Sequence, residues 1–297
     1  MTRTPQALTV IRGGNASWDL DGIVEQLRIS REVTHNIRHQ GRAQEVPSRK
    51  IIDEIVEKIG EALFPSHLGP PSAGDQNADV FVRNTLDTAL LRLSDQIRRS
   101  LVFGRDYSAA NAEARAAAII RGFATALPSI RTLLVEDLRA AKREDASSGS
   151  NSEILLCNRG LAAIYHHRIA HALHLRGARL VARIIADIAH VVTGAEIHPG
   201  ASIAQGLCLP HTAGLIIGEA TVIGSNVRLH QGVTLAAEHD LPPVASGQRT
   251  LIVEDNVILQ AGCRVSGRIT IGRDSVIGPG TQIRTNVAPN SVVSSAG

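Results

Sequence analysis

Aromatic side chains are nearly missing from this chain: its 297 residues include four Phe, two Tyr and one Trp, 2% in all. A core or stacking platform built on aromatic anchors is thereby excluded. Small and β-branched residues must do the packing, which favours a regular, narrow architecture. Cysteine is scarce as well. Cys157, Cys208 and Cys263 are odd in number and show no short paired spacing, so they offer neither a disulfide framework nor a zinc knuckle. A reducing cytoplasm is the expected compartment. No run of about 18 apolar residues occurs, and the opening segment MTRTPQALTVIRGGNASWDLDG lacks the apolar stretch of a signal peptide. A soluble protein with no membrane association is expected. There is no block of like charge either: 31 basic and 28 acidic residues are mixed along the chain, leaving a net charge of +3. That balance argues against nucleic acid as a partner.

What is present divides the chain. With 43% hydrophobic residues over this length there is material for two domains of ordinary size. Residues 1–45 alternate charge, glycine and polar groups without steady periodicity and read as a loosely ordered arm. Residues 46–193 read as an α-helical domain. Ile51, Ile52, Ile55, Val56, Ile59 and Leu63 recur at helical spacing before Pro65. A second helix is predicted over 78–101, two more over 111–125 and 129–141, and after a polar break two others over 153–175 and 178–192.

At Thr193-Gly194 the period changes to six. Aliphatic residues stand at Ile197, Ile203 and Leu209, at Ile217, Ile223, Leu229 and Leu235, and at Val253, Leu259, Val265, Ile271, Ile277 and Ile283. Four residues after many of these comes a second small or aliphatic side chain, such as Ala201, Val227, Val233, Val257 and Cys263. A six-residue unit cannot bury its apolar face alone, so successive units must stack into a prism. The predicted fold class is α+β, an N-terminal α-helical domain followed by a left-handed parallel β-helix of hexapeptide repeats over 194–297. Two interruptions punctuate the prism. The step from Leu209 to Ile217 is eight, so two extra residues push the backbone out where His211 lies. Between Leu235 and Val253 a polar segment with Pro242-Pro243 reads as a protruding loop.

The stretch from Tyr165 to Ile283 resembles the serine O-acetyltransferases. The likeness rests on HRIAH (167–171), EIHPGASI (196–203), HTAGLIIGEATVIG (211–224), QGVTL (231–235) and the repeats after Arg249. It implies acetyl transfer from acetyl-CoA, as co-substrate, to the hydroxyl of L-serine in cysteine biosynthesis, with no metal. A serine hydroxyl is almost wholly un-ionised at neutral pH, so the reaction needs a base, and histidine has its pKa near the working pH. The resemblance assigns that role to His211 and the orienting carboxylate to Glu196, where the family has Asp. On the acceptor side the family's Asp before the catalytic His is replaced by Pro210. Of its Arg-His pair, Arg249 is kept and Thr250 replaces the His; the acid on the helical side aligns with Asp145. On the donor side Ala236, Ala237, Ala261 and Gly280 match positions that line the pantetheine arm. A homotrimer is implied, and a dimer of trimers is the open alternative. The long tail ending in isoleucine is absent, so docking to cysteine synthase is not expected.

Other readings remain at this point. Because Pro210 and Thr250 both fall on the acceptor side, the same acetyl-CoA chemistry on a different small hydroxylated acceptor competes with serine itself. His198, His211 and His230 are the ligand types of a zinc hydratase of the γ-carbonic anhydrase kind. A catalytically silent scaffold is the last.

Overall fold

A computed structural model describes residues 20–34, 45–70, 77–104, 108–144, 150–236 and 251–294. The chain forms two compact units, residues 1–45 and residues 46–297. In the first, Leu20–Ile29 form helix α1, continued by one π-helical turn at Ser30–Thr34. The lack of steady periodicity over 1–45 predicts no helix here. Leu20, Ile23, Val24 and Leu27 nevertheless hold i, i+3, i+4, i+7 spacing, and all four are exposed.

The second unit opens with α2 (Arg49–Leu63), capped by the Ser48 hydroxyl accepting from the Ile51 amide. Short α3 (Pro65–Leu68) and long α4 (Ala78–Phe103) follow. α5 (Ala109–Glu144) is one helix of 36 residues, where the sequence predicted two. Pro128 lies inside it, yet Phe123, Leu127, Ile130 and Leu134 continue one buried stripe across the proline, while Pro128 itself faces solvent. Packing on both sides outweighs the lost hydrogen bond. Among the described residues α5 is also the helix whose length and mean hydropathy suffice to cross a bilayer. Its apolar stripe, however, is taken up by α4 and α7.

The helix expected over 153–175 is likewise corrected: it is two, α6 (Asn151–Cys157) and α7 (Arg159–Leu175), broken at Asn158. Its side-chain oxygen accepts from the Leu161 amide at 2.8 Å and so starts α7 as an N-cap. α8 (Arg179–Thr193) ends at Gly194, whose φ of 78° turns the chain into the first strand.

From Glu196 the chain winds as a parallel β-helix. Strands at 196–197, 216–217, 234–236, 264–266 and 282–283 stack into one face, and two further faces of four strands complete the prism. Every pairing is parallel. The aliphatic positions of the six-residue period point inward, as do Ala201, Val227, Val233, Val257 and Cys263 at 0% exposure. Along one edge Gly214, Gly232, Gly262 and Gly280 sit above one another with positive φ.

A buried ion pair fastens helices to prism. Arg168 of α7 is bidentate to Asp137 of α5, both bonds at 3.1 Å. Its remaining donors go to the Ile203 and Ala204 carbonyls, and Asp137 accepts from the Gly206 and Leu207 amides. Every buried polar atom of the pair thus has a partner, which a desolvated ion pair requires.

Candidate active site

The bulge that carries His211 follows from the eight-residue step between Leu209 and Ile217, two longer than the repeat. Cys208 still pairs with Arg228 of the next coil, but Pro210 has no N–H to continue the ladder. The chain steps outward for two residues and is caught again by Thr212, whose buried hydroxyl donates to the Thr193 carbonyl at 2.5 Å. His211 is therefore exposed between two buried anchors, Leu209 and Thr212.

The helices close on this bulge from one side. A β-carbon on Gly160, in the first turn of α7, would lie 2.0 Å from the Leu209 carbonyl oxygen, so the two backbones are in direct contact and only glycine fits. That approach leaves two clefts, both lined by Asn158, Pro210 and His211. One, of about 350 Å³, is further walled by Glu153, Cys157, Arg159 and Thr193. The other, of about 360 Å³, is walled by Ala141, Glu144, Cys208 and Leu209.

Charge gathers around the second cleft. Glu144, the last residue of α5, is 2.5 Å from the Arg228 guanidinium. His230 lies one strand-step beyond Arg228. Its pKa is lowered by burial first, then by the Arg228 charge, with Glu144 opposing and His211 adding to the lowering. Burial, assisted by Glu144, pushes the Cys208 thiol up to about 11, so it is an inert wall at neutral pH.

Several predicted residues do not meet His211. Glu196 is exposed on the first strand, lines neither cleft and has no hydrogen bond to His211 among the described residues; its carboxylate acts on His198. His198 accepts from the Gly200 amide and meets the His174 ring edge-on, 5.9 Å between centroids. Among the described residues of one chain no group of three His, Cys, Asp or Glu is placed to hold a metal. Ala261 and Gly280 adjoin, the Gly280 amide donating to the Ala261 carbonyl. They share the glycine edge on which Gly214, three residues after His211, also lies. Ala236 is the last residue of the middle strand of the five-stranded face, paired with Ser266. Asp145, Ala237, Arg249 and Thr250 lie outside the described residues. Gly160, Asn158, Glu144 and Arg228, by contrast, were not singled out from sequence. Asn158 carries a signal, an N-cap residue ahead of an apolar run; the others reach the bulge or its flanks only through tertiary packing.

No protein-family model matches the chain. A serine acetyltransferase of Synechococcus elongatus, named as the plasmid form, is 38% identical over 94% of this chain and 92% of its own length. The chain belongs to the serine acetyltransferase family. Among solved structures, serine acetyltransferase isoform 3 of Entamoeba histolytica, in complex with cysteine, superposes with a TM-score of 0.72 at 25% identity, covering 93% of this chain and 90% of that one. The Brucella abortus serine acetyltransferase in complex with coenzyme A gives 0.54 at 25% identity over 82% and 94%. Both the helical half and the β-helix of this serine acetyltransferase family member fall within the Synechococcus match.

Proposed function

We propose that this protein transfers the acetyl group of acetyl-CoA to the hydroxyl of L-serine, with His211 as general base. The observation that carries the reading is the 38% identity with a serine acetyltransferase over 94% of the chain, in a structure that sets His211 exposed at the junction of two clefts. The imidazole takes the hydroxyl proton as the oxygen attacks the thioester carbonyl. The tetrahedral adduct then collapses with C–S cleavage, and the imidazolium returns the proton to the departing thiolate, so charge and protons balance.

Glu196 is the proposed orienting carboxylate, a contact that forms on substrate binding, since catalytic hydrogen bonds often tighten only in the Michaelis complex. Asp145, Arg249 and Thr250 are assigned to the acceptor's charged groups. The edge carrying Ala261 and Gly280, with Ala236 at the end of its strand, is assigned to the pantetheine arm together with Ala237, because small residues let a ligand approach backbone closely. The expected assembly is a homotrimer in the cytoplasm. Pro210 favours a second reading, a different hydroxylated amino acid as acceptor, because an apolar ring lines both clefts beside the base.

The deciding experiment assays the purified protein with acetyl-CoA against a panel of hydroxylated acceptors. L-serine is expected to give the highest kcat/KM. A clear preference for another acceptor moves the assignment to the second reading, and the absence of any O-acetylation overturns both.

A further inference from the structure

We propose that the Asn158 side-chain amide is a catalytic group of the acetyl transfer, its Nδ2–H donating to the thioester carbonyl oxygen as negative charge gathers there. This rests on the acetyl-transfer reading above and adds to it the donor that the developing charge needs. His211 removes the acceptor's proton, but as the new C–O bond forms the carbonyl π pair moves onto oxygen, and a base meets none of that charge. A neutral donor already in place lowers the barrier, because the charge exists only on the way to the adduct. When the adduct collapses the pair returns, the C–S bond breaks, and Asn158 keeps its own proton throughout.

Asn158 lines both clefts with Pro210 and His211. The chain on either side holds it there. Its own amide closes α6 by donating to the Ile154 carbonyl at 3.0 Å, and two residues later Gly160 packs against the Leu209 carbonyl, two residues before His211. The cap bond also orients the side chain. Oδ1 accepts from the Leu161 amide at 2.8 Å, and since only oxygen can accept, the opposite end of the group is the donor. Nδ2 makes no hydrogen bond among the described residues, yet it is not sealed in, for the buried side-chain atoms without a partner belong to His167 and His174. Other donors around the clefts are spent or ill placed. The Thr193 hydroxyl donates to the Ala189 carbonyl and the Thr212 hydroxyl to the Thr193 carbonyl. Arg159 is exposed and lines one cleft only, and the thiols of Cys157 and Cys208 are weak donors. Capping alone does not call for asparagine: aspartate has the same shape and caps as well, but carries no donor when ionised.

The test separates the two ends of the amide. Asn158→Asp keeps the shape and the cap and removes the donor; Asn158→Gly keeps most of the cap and brings neither donor nor charge. Wild type and both variants are assayed with acetyl-CoA and the acceptor that the wild type turns over best, and urea midpoints are measured alongside. In both variants kcat is expected to fall by about 10² to 10³, the size of one lost oxyanion donor. KM for the acceptor and the calorimetric Kd for coenzyme A should move by less than about twofold, because the contact forms only as charge develops. The urea midpoint of Asn158→Asp should match that of the wild type.

A kcat within about twofold of wild type in both variants would overturn the inference. So would a loss in one variant alone, which traces to the added charge in Asn158→Asp or to the freed backbone in Asn158→Gly. A raised acceptor KM with kcat retained would make Asn158 a binding contact and overturn it as well. A wild type that acetylates no acceptor removes the acetyl-transfer reading and this inference together, whereas an active wild type with unimpaired variants removes the inference alone.

Discussion

His211 and Gly160 both belong to the bulge, one carried on it and one packed against its Leu209, with opposite requirements: a reactive side chain and none. Replacing His211 with alanine should lower kcat by about 10² to 10⁴, the usual range for a positioned base, with coenzyme A affinity by calorimetry unchanged. Full activity in that variant would remove the base from the mechanism. Gly160→Ala places a carbon 2.0 Å from the Leu209 carbonyl, and neither backbone can yield without shifting α7. Its expected cost is about 1–3 kcal/mol, in line with overpacked sites, together with a fall in kcat/KM; an unaltered melting temperature and activity would show that the contact is slack. The two residues also mark what a sequence can reveal. His211 was found by counting, because an eight-residue step interrupts a period of six. Gly160 has no such mark: its partner Leu209 is far along the chain, and their contact exists only once helix and prism have docked. Glu144 and Arg228 stayed hidden for the same reason.

At the level of elements, the prism was legible and the helix ends less so. A strict six-residue period admits few structures, and each inward position it named is buried. Helical periodicity is more forgiving. It passed over Asn158, where one cap splits a run into α6 and α7, and it stopped at Pro128, where tertiary packing carries α5 through. Asn158→Ala should cost about 1 kcal/mol, typical of a lost N-cap, read as a lower urea midpoint with unchanged slope. Asp137→Ala should be far more damaging. It leaves the Arg168 guanidinium buried without its carboxylate, a loss of about 3–5 kcal/mol; chemical denaturation that shows under 1 kcal/mol would mean the pair is not what fastens helices to prism.

For the whole molecule, acid is the expected weakness. His167, His171 and His174 follow one another along α7, with His198 on the coil facing them. All four have pKa values below the usual histidine range, in each case through burial first. Arg168 presses on His167 and His171, while Glu219 opposes the shift at His174 and His198. Folded, these rings stay neutral where the unfolded chain already binds protons. Below the unfolded pKa of about 6.5 the unfolded state therefore gains protons first, and stability falls as pH drops. The fully buried His167 contributes at most about 1.4 kcal/mol per pH unit. Urea midpoints should be level above about pH 7 and decline toward pH 5, and a level midpoint through that window would sink the account. The Asp137–Arg168 pair has a mechanical side as well. At 1.5 Å per residue, it fixes α5 about 42 Å from the helix's first residue and about 10 Å from Glu144. The rest of α5 is packed against α4 and α7, so the short end that carries Glu144 to the cleft is clamped from the helical side and from the prism at once.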